Sequence, residues 1–547
     1  MKKYIAIAVA ALATLSIFSA CSKKDFDSKF SDPSKSTKVS CEKLMTGVFR
    51  VGCTKYRSFG YYTYWRLYTW ESVMAQITQQ KGFTNDSGGV YYISDSYATD
   101  RWNNFYDMLA QFRQMEKKLE SESETERAVD ILFLNVTEVF LYDHLAQLCD
   151  AFGPVPFSKA GYLGITSDLE SSYPAYDSDE QLYKMMIDRL GTLYTELKAY
   201  SSPLGEKMLK EQDPLNGGDL DKWARYANSL RLRLANHVAS KGNISGTAIA
   251  AIKECMTRDL VTDLDNGIFG EVSSAEMDAG NAFWQWYREG YAGNGANVTA
   301  SQAVIDAMRV TGVDDPRLKI FYHPNGAGKF VGKSVAESKA DQQENDLKGS
   351  QKWENRVYST LDSVTFIANG YMKNPVFTPA ECYFIQAEAI YKGFADGGIA
   401  AAKEAFKKGV KYSILQYFES NMNSTPLNGM STYTHYKAET APTDAAISTY
   451  ADAVWNAYAN KLEAIMTQKW IHMGIGDAHE SWTDIRRTGL PALTFRQDAQ
   501  SQTTRNVIQR VVYPIIEKSN NTENYNAATA NFKDENSTVL FWAQELK

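Results

Sequence analysis

From Val129 to Phe152 the apolar residues Ile131, Leu132, Leu134, Val136, Val139, Phe140, Leu145 and Leu148 cover most of a helical circumference. A helix that is apolar nearly all round belongs in the middle of a large protein, with neighbours on several sides. Gly153 stands where a left-handed terminal residue is wanted, and Pro154 forbids continuation. Val155-Pro156-Phe157 leaves in an extended path, because a residue before proline avoids the helical region. The pattern predicts a central buried helix with a hard stop.

Around it the helical period recurs. Two helical stretches between Ser40 and Gln80 flank the aromatic run SFGYYTYWRLYTW, and a polar, glycine-containing loop follows from Lys81 to Asp100. In 101–120, Trp102, Phe105, Tyr106, Leu109 and Phe112 mark one buried face. Further helices are predicted over Ser178–Tyr200, Asp221–Ser240 (with Asp221 as N-cap) and Ala248–Thr257. The period fades from Asp259 to Asn374, a region rich in glycine, asparagine and aromatics that reads as irregular with a few short strands. It returns at Pro379, where AECYFIQAEAIYKGF, Gly397-Gly398 and IAAAKEAFKKGVKYSIL read as helix, turn and helix. Ala387 and Tyr391, then Ala402 and Phe406, give the small-and-aromatic pattern of a tetratricopeptide pair, and only this one unit is visible. A last long helix is predicted over Tyr450–Met473. No strand–helix alternation occurs, so the fold class is mainly α.

The N-terminus changes the picture from fold to address. Lys2 and Lys3 precede an apolar stretch, Ile5 to Ala20, that is too short for a membrane span. Phe18-Ser19-Ala20-Cys21 then places small residues before a cysteine. This resembles a bacterial lipobox and predicts a leader over 1–20, acylation of Cys21, a polar tether over 21–39, and one folded body over 40–547. Losing the leader takes the formal net charge from −7 to −9. With no basic stripe, nucleic acid is excluded as a partner, and membrane attachment has to come from the acyl chains. Of the five other cysteines, Cys41 and Cys53 could pair across a short loop, but free buried thiols are the expectation.

Few motifs carry chemistry. Ala327 to Ser334 fits a relaxed phosphate loop but lacks the strand before and the helix after, and is read as chance. Asp263-Leu264-Asp265-Asn266-Gly267 hints at a calcium loop, yet the twelfth position is Ser274 where a glutamate is required. His472 and His479 do not form HExxH, and no nucleophile elbow occurs. The charged run from Glu480 to Pro491 reads as a short helix whose arginines form ion pairs rather than as an anion site. No cofactor or metal is called for. Paired carboxylates for glycoside hydrolysis have no fixed spacing, so a helical surface glycosidase stays open as an alternative.

Aromatic residues make up 13% of the chain, and those in polar loops differ from those on helical faces. A flat ring with a polar edge suits a sugar face or a peptide side chain. Two stretches offer such rings beside hydrogen-bonding groups: Trp65, Tyr68, Trp70, Tyr91 and Tyr92 with Asn85 and Asp86, and Trp284, Trp286, Tyr287 and Tyr291 with Asn281, Arg288 and Asn294. They are the candidate ligand residues, suited to a neutral oligosaccharide. Packing beneath their own loops is the competing reading.

The order of Cys21, Trp102-x3-Tyr106, FGPVPF, WARYANSLRLRLANHVA, DDPRL, ECYFIQAEAIYKGF and QKWIHMGIGDAHESWTDIRRTGLP resembles the SusD/RagB family of nutrient-binding outer-membrane lipoproteins. The resemblance implies a helical scaffold of tetratricopeptide-like pairs with an irregular ligand side. It also implies a lipid-anchored, non-enzymatic protein at the cell surface. Such a protein captures oligosaccharides, or peptides in some members, and passes them to a TonB-dependent SusC-type transporter. A purely structural envelope lipoprotein is the remaining alternative.

Overall fold

The computed structural model describes residues 39–55, 70–83, 91–270, 299–367, 369, 371, 373–425, 436–496 and 507–543. Its helices of eight residues or more are α1 (Cys41–Lys55), α2 (Trp70–Ile77), α3 (Asp95–Glu120), α4 (Glu124–Phe152), α5 (Asp179–Ala199), α6 (Pro203–Gln212), α7 (Leu220–Val238) and α8 (Ser245–Cys255). They continue with α9 (Lys339–Gln351), α10 (Pro379–Tyr391), α11 (Gly398–Met422), α12 (Asp444–Ala457), α13 (Lys461–Met473), α14 (Ala478–Thr488) and α15 (Thr522–Thr529). The fold is mainly helical, as the periodicities predict. None of the described helices is long and apolar enough to cross a membrane.

The central helix α4 begins with a reciprocal cap. The Ser123 hydroxyl accepts from Glu126 N, and Ser123 N donates to Glu126 Oε2 at 3.0 Å. α1, α3, α5 and α7 all pack on it, which is why its apolar residues occupy the whole circumference. Its buried polar groups are met from those neighbours: Tyr226 and Arg233 reach Asp143 at 2.5 and 3.2 Å, and Tyr183 donates to Asp150 at 2.5 Å. Gly153 ends the helix at φ 84° and ψ −130°, a positive φ but outside the left-handed helical region expected there. A Cβ at that position would come within 2.9 Å of Phe532.

Residues 507–513 then run across this helix end. Val511 N donates to Ala151 O at 2.7 Å, Arg510 Nη2 to Phe152 O at 2.8 Å, and the Tyr513 hydroxyl to Pro154 O at 2.5 Å. The carbonyls of the last two residues of α4, which no helical amide can reach, are thereby satisfied.

α10 and α11 form the predicted pair. Thr378 caps α10 by accepting from Glu381 N at 3.1 Å, with Pro379 in its first turn. Gly409 of α11 lets the Phe384 ring of α10 lie against its backbone; an added Cβ would stand 2.7 Å from that ring. α12 packs on α11, and α13 on α10, so the pairing extends beyond the one unit visible in sequence.

Several boundaries differ from expectation, and α3 starts at Asp95, inside the predicted Lys81–Asp100 loop. Asp219, not Asp221, caps α7, its side chain accepting from Lys222 N; Asp221 sits in the first turn, paired with Lys198 and Arg225. The predicted helix over 450–473 is two helices, because Asn460 starts α13 as a cap. The middle region is not wholly irregular: α9 lies within it, unheralded because its sequence KADQQENDLKGSQ has almost no apolar stripe. Its strands are short: β1 (Ile268–Gly270) pairs antiparallel with β4 (Asn374–Phe377), and β2 (Tyr322–His323) with β3 (Thr360–Leu361). The thiols of Cys41, Cys149, Cys255 and Cys382 are free and buried.

One buried acid gives the fold a pH dependence. Asp179, the first residue of α5, is 7% exposed. Burial pushes its carboxyl up to about 7, with the charges of Glu180 and Asp150 adding to the rise and its backbone hydrogen bonds opposing it. Its unfolded value is about 3.9. The native state therefore binds the proton more tightly, and this stabilisation, complete at low pH, is lost as pH rises through about 7. Asp179→Asn should melt progressively higher than the wild type between pH 5 and pH 8 in scanning calorimetry. Parallel curves would show that Asp179 is not the titrating group.

Candidate functional site

The sequence-derived ligand residues divide sharply. Trp70 is 5% exposed; its indole N–H donates to His479 Nδ1 at 3.2 Å and the two rings stack at 6.0 Å. Tyr91 is wholly buried, edge-on to Phe83 and Phe495, with its hydroxyl accepting from Arg496 N. Neither offers a face to a ligand, because both rings are used up in packing. Tyr92 is 39% exposed and keeps a free face. Trp65, Tyr68, Asn281, Trp284, Trp286 and Tyr287 lie outside the described residues, as do Asn85, Asp86 and Cys21.

The other motifs are absorbed by structure. Asp263 and Asn266 close on each other, side chain to backbone and side chain to side chain (2.9 and 2.6 Å). Lys333, in the phosphate-loop-like stretch, is buried and paired with Asp346 at 2.6 Å. His472 lies between Thr378 and Ser413, at 2.7 and 3.0 Å, and burial pulls its pKa down to about 3, with the charges of Arg317 and Lys469 adding to it. In α14, Arg487 pairs with Asp484 at 2.6 Å and with both oxygens of Glu388. Burial raises the Glu388 carboxyl, but the charges of Arg487 and Lys392 outweigh it and hold the group well below its usual range. These ions are matched within the protein and are not offered to a ligand.

A cavity of about 110 Å³ opens instead where the middle region meets α11 and α13. Two strands bring one wall: Phe269, opposite Pro375 in the β1–β4 register, and Tyr322, opposite Leu361 in β2–β3. Phe321 and Phe366 stand edge-to-face at 5.4 Å, and Phe321 meets Tyr417 of α11 at 4.5 Å. Trp470 of α13 and the turn 474–476 complete the lining. α11 contributes Gln416, Tyr417, Glu419 and Ser420 from consecutive turns, one face turned to the cavity.

At the rim the Tyr371 hydroxyl donates to Glu419 Oε1 at 2.8 Å, and the Lys373 ammonium stands 3.5 Å from the same oxygen. Lys373 also lies over the rings of Phe269 and Tyr371, 5.9 and 5.4 Å from their centroids. Burial raises the Tyr371 pKa, and the neighbouring Glu419 carboxylate raises it further. The phenol therefore stays a neutral donor at physiological pH. A concave, aromatic-walled site with a few converging polar groups is what a small-molecule site requires.

These residues escaped sequence reasoning because they come from seven separated segments, each too short to show a pattern. One local signal existed: Gln416-Tyr417-x-Glu419-Ser420 puts polar and aromatic groups together on a helix whose other face is apolar. The segment 271–298, which carries Trp284, Trp286 and Tyr287, joins described residues that border this cavity, with Phe269 on one side and Val304 on the other.

Comparison with known proteins bears on this geometry. Residues 65–543 match the family model described as "SusD-like: Susd and RagB outer membrane lipoprotein". Among solved structures, one described as a chitin-binding protein superposes with a TM-score of 0.68 at 21% identity, covering 92% of this chain and 100% of its own. A SusD homologue from Bacteroides fragilis gives 0.67 at 16% identity, covering 92% and 100%. A chitin-binding SusD homologue from Flavobacterium johnsoniae gives 0.64 at 18%, covering 92% and 99%. No curated relative matches the sequence significantly.

Proposed function

Since the chain belongs to the SusD/RagB family of outer-membrane lipoproteins, we propose that it captures oligosaccharides at the cell surface and hands them to a TonB-dependent SusC-type transporter. Cys21 is its lipid anchor in this reading, and residues 40–547 form the ligand-binding body. The observation that carries the reading is the aromatic cavity beneath the middle region, with Tyr371, Lys373 and Glu419 at its rim. Aromatic walls stack on sugar faces, and rim groups reach the hydroxyls. The names of the two chitin-binding neighbours favour a saccharide over a peptide. In the other half of the site we place Trp284 and Trp286, with Asn281 and Tyr287, as stacking groups that extend the cavity outward, and Tyr92 stays with them as an exposed ring.

Isothermal titration of the full-length protein in detergent against a panel of neutral oligosaccharides tests the reading. Tyr371→Ala, Trp284→Ala and Trp286→Ala should each weaken binding by roughly tenfold or more, a hot-spot loss, while the melting temperature stays within a degree or so. Normal binding in all three, or unfolding of all three, would place the site elsewhere. Release of shorter sugars during the titration would favour the glycosidase alternative, and saturable binding of peptides alone the peptide one. A TonB-dependent barrel co-purifying from gently solubilised outer membranes is the expected partner.

A further inference from the structure

At the rim of the cavity a side chain of the protein itself sits where a ligand would. Lys373 is the one cation among the described lining residues, beside the carboxylates of Asp265 and Glu419. It stands one residue before β4 and two before Pro375, so continued alternation puts it on the face that carries Pro375 and, opposite that, Phe269. The register shifts between Ile268 and Phe269, an irregularity of the kind that re-aims side chains beside sites. A lysine at a surface ordinarily extends its ammonium into water. This one folds back: Nζ lies 5.4 Å from the ring centroid of Tyr371 and 5.9 Å from that of Phe269, with Glu419 Oε1 at 3.5 Å.

The groups that hold the ammonium are the groups a sugar needs. Phe269 and Tyr371 are half-buried, so each leaves part of its ring uncovered. The negative face of an aromatic ring attracts a cation, and it attracts the weakly positive C–H face of a sugar in the same sense. Glu419 Oε1 already accepts from the Tyr371 hydroxyl at 2.8 Å and faces the ammonium with its remaining capacity. A sugar hydroxyl is an equally good donor to a carboxylate. An ammonium and a sugar unit therefore compete for one place. The lysine holds it loosely: its side chain is 43% exposed and that of Glu419 33%, and a surface contact of this kind contributes little. The backbone from Asn374 onward is fixed in the ladder, so only the side chain has to move.

We propose that Lys373 is a displaceable plug: its ammonium occupies the place that a ring of the bound oligosaccharide takes, and it swings out to water as the sugar enters. The proposal rests on the oligosaccharide reading above and adds the residue that sets the affinity. An internal competitor lowers the apparent affinity by the fraction of time for which the place is open. A carrier that has to give up its ligand gains from a group that refills the place on release.

Two measurements on the full-length protein in detergent test this, with triacetylchitotriose, cellotriose and maltotriose as the neutral probes. Reductive methylation with isotope-labelled formaldehyde keeps every lysine charged, and the Lys373 methyl signal is the one missing from Lys373→Ala. Before sugar is added it should lie upfield of the exposed lysines, shifted by the two rings, and a bound sugar should return it to their position. In isothermal titration Lys373→Ala should bind about threefold tighter than wild type, the worth of one exposed cation–π contact. Lys373→Gln, which keeps the length and loses the charge, should gain in the same direction. High salt screens the contact between ammonium and carboxylate, so it should strengthen sugar binding by the wild type and leave Lys373→Ala unchanged. A methyl signal at the exposed-lysine position before sugar is added, or one that a bound sugar does not move, overturns the plug while oligosaccharide capture stands. Equal affinity in Lys373→Ala has the same meaning, and so does weaker binding, which would make the lysine a donor to the ligand. Binding of none of the sugars by any form overturns both.

Discussion

Arg317→Ala should destabilise the fold by about 3–5 kcal/mol, the usual result of breaking a buried ion pair from one side. Arg317 and Asp315 are wholly buried, and the guanidinium forks onto both carboxylate oxygens at 3.0 and 2.6 Å. Its remaining donors reach Ser413 of α11 and Gln468 of α13, both at 2.6 Å, while Asp315 accepts from the Tyr450 hydroxyl of α12 at 2.5 Å. One Asp-x-Arg turn thus holds three helices, and removing the cation strands a buried carboxylate among them. Arg317→Lys should be nearly as damaging, since a point ammonium cannot serve four acceptors in a plane. The pair Asp315→Leu with Arg317→Met should cost less than Arg317→Ala alone, because no orphan charge remains. Urea unfolding read by tryptophan fluorescence orders the three. If Arg317→Ala shifts the midpoint no more than a surface substitution does, the turn is not a fastener.

Trp482→Ala should cost a comparable ~3–5 kcal/mol, the range for truncating a buried large aromatic. The ring of Trp482 is fully buried, and its N–H donates to Ile508 O at 2.8 Å. Above it lies the Arg486 guanidinium, 3.2 Å from the ring centroid and 4.7 Å from that of Trp542. Burial pulls the Arg486 pKa down to about 9. Arg486 Nη1 in turn donates to Asp150 O and Gln509 O, at 2.7 and 2.9 Å. Losing the ring removes the platform that holds the cation between the central helix and the 507–513 stretch. Limited proteolysis should then cut near that stretch at protease levels that leave the wild type intact. Trp482→Phe, which keeps most of the apolar volume, should be intermediate; a melt equal to wild type for Trp482→Ala would contradict the arrangement.

What could be read in the sequence follows from what is local. α4, α7 and α10 announce themselves because their apolar positions recur over many turns, and the 480–491 run was legible as a helix with matched ions because Glu, Asp and Arg sit at helical spacing. α9 was invisible because it buries Gln342 and Asp346 where a stripe of leucines would have shown. The break at Asn460 was hidden because apolar residues on both sides stay in helical phase. The site was least legible. Trp70 and Tyr91 look like exposed loop aromatics in a polar context, yet His479, Phe495 and Arg496, which bury or bind them, lie about 400 residues away. Tyr322, Gln416 and Tyr371 look unremarkable for the same reason, since a cavity assembled from distant segments leaves no trace in any one of them.

The closure of the α4 terminus by residues 507–513 also bears on the order in which the chain becomes a protein. Synthesis and export deliver the N-terminal end first. The carbonyls of Ala151, Phe152 and Pro154 therefore emerge long before Val511, Arg510 and Tyr513. Until those partners arrive, the hub helix ends in bare acceptors over a half-built apolar core, and earlier segments can form helices but cannot lock. A stretch that appears late thus seals the middle of the molecule, so a nascent chain halted before residue 507 is expected to remain open and chaperone-dependent.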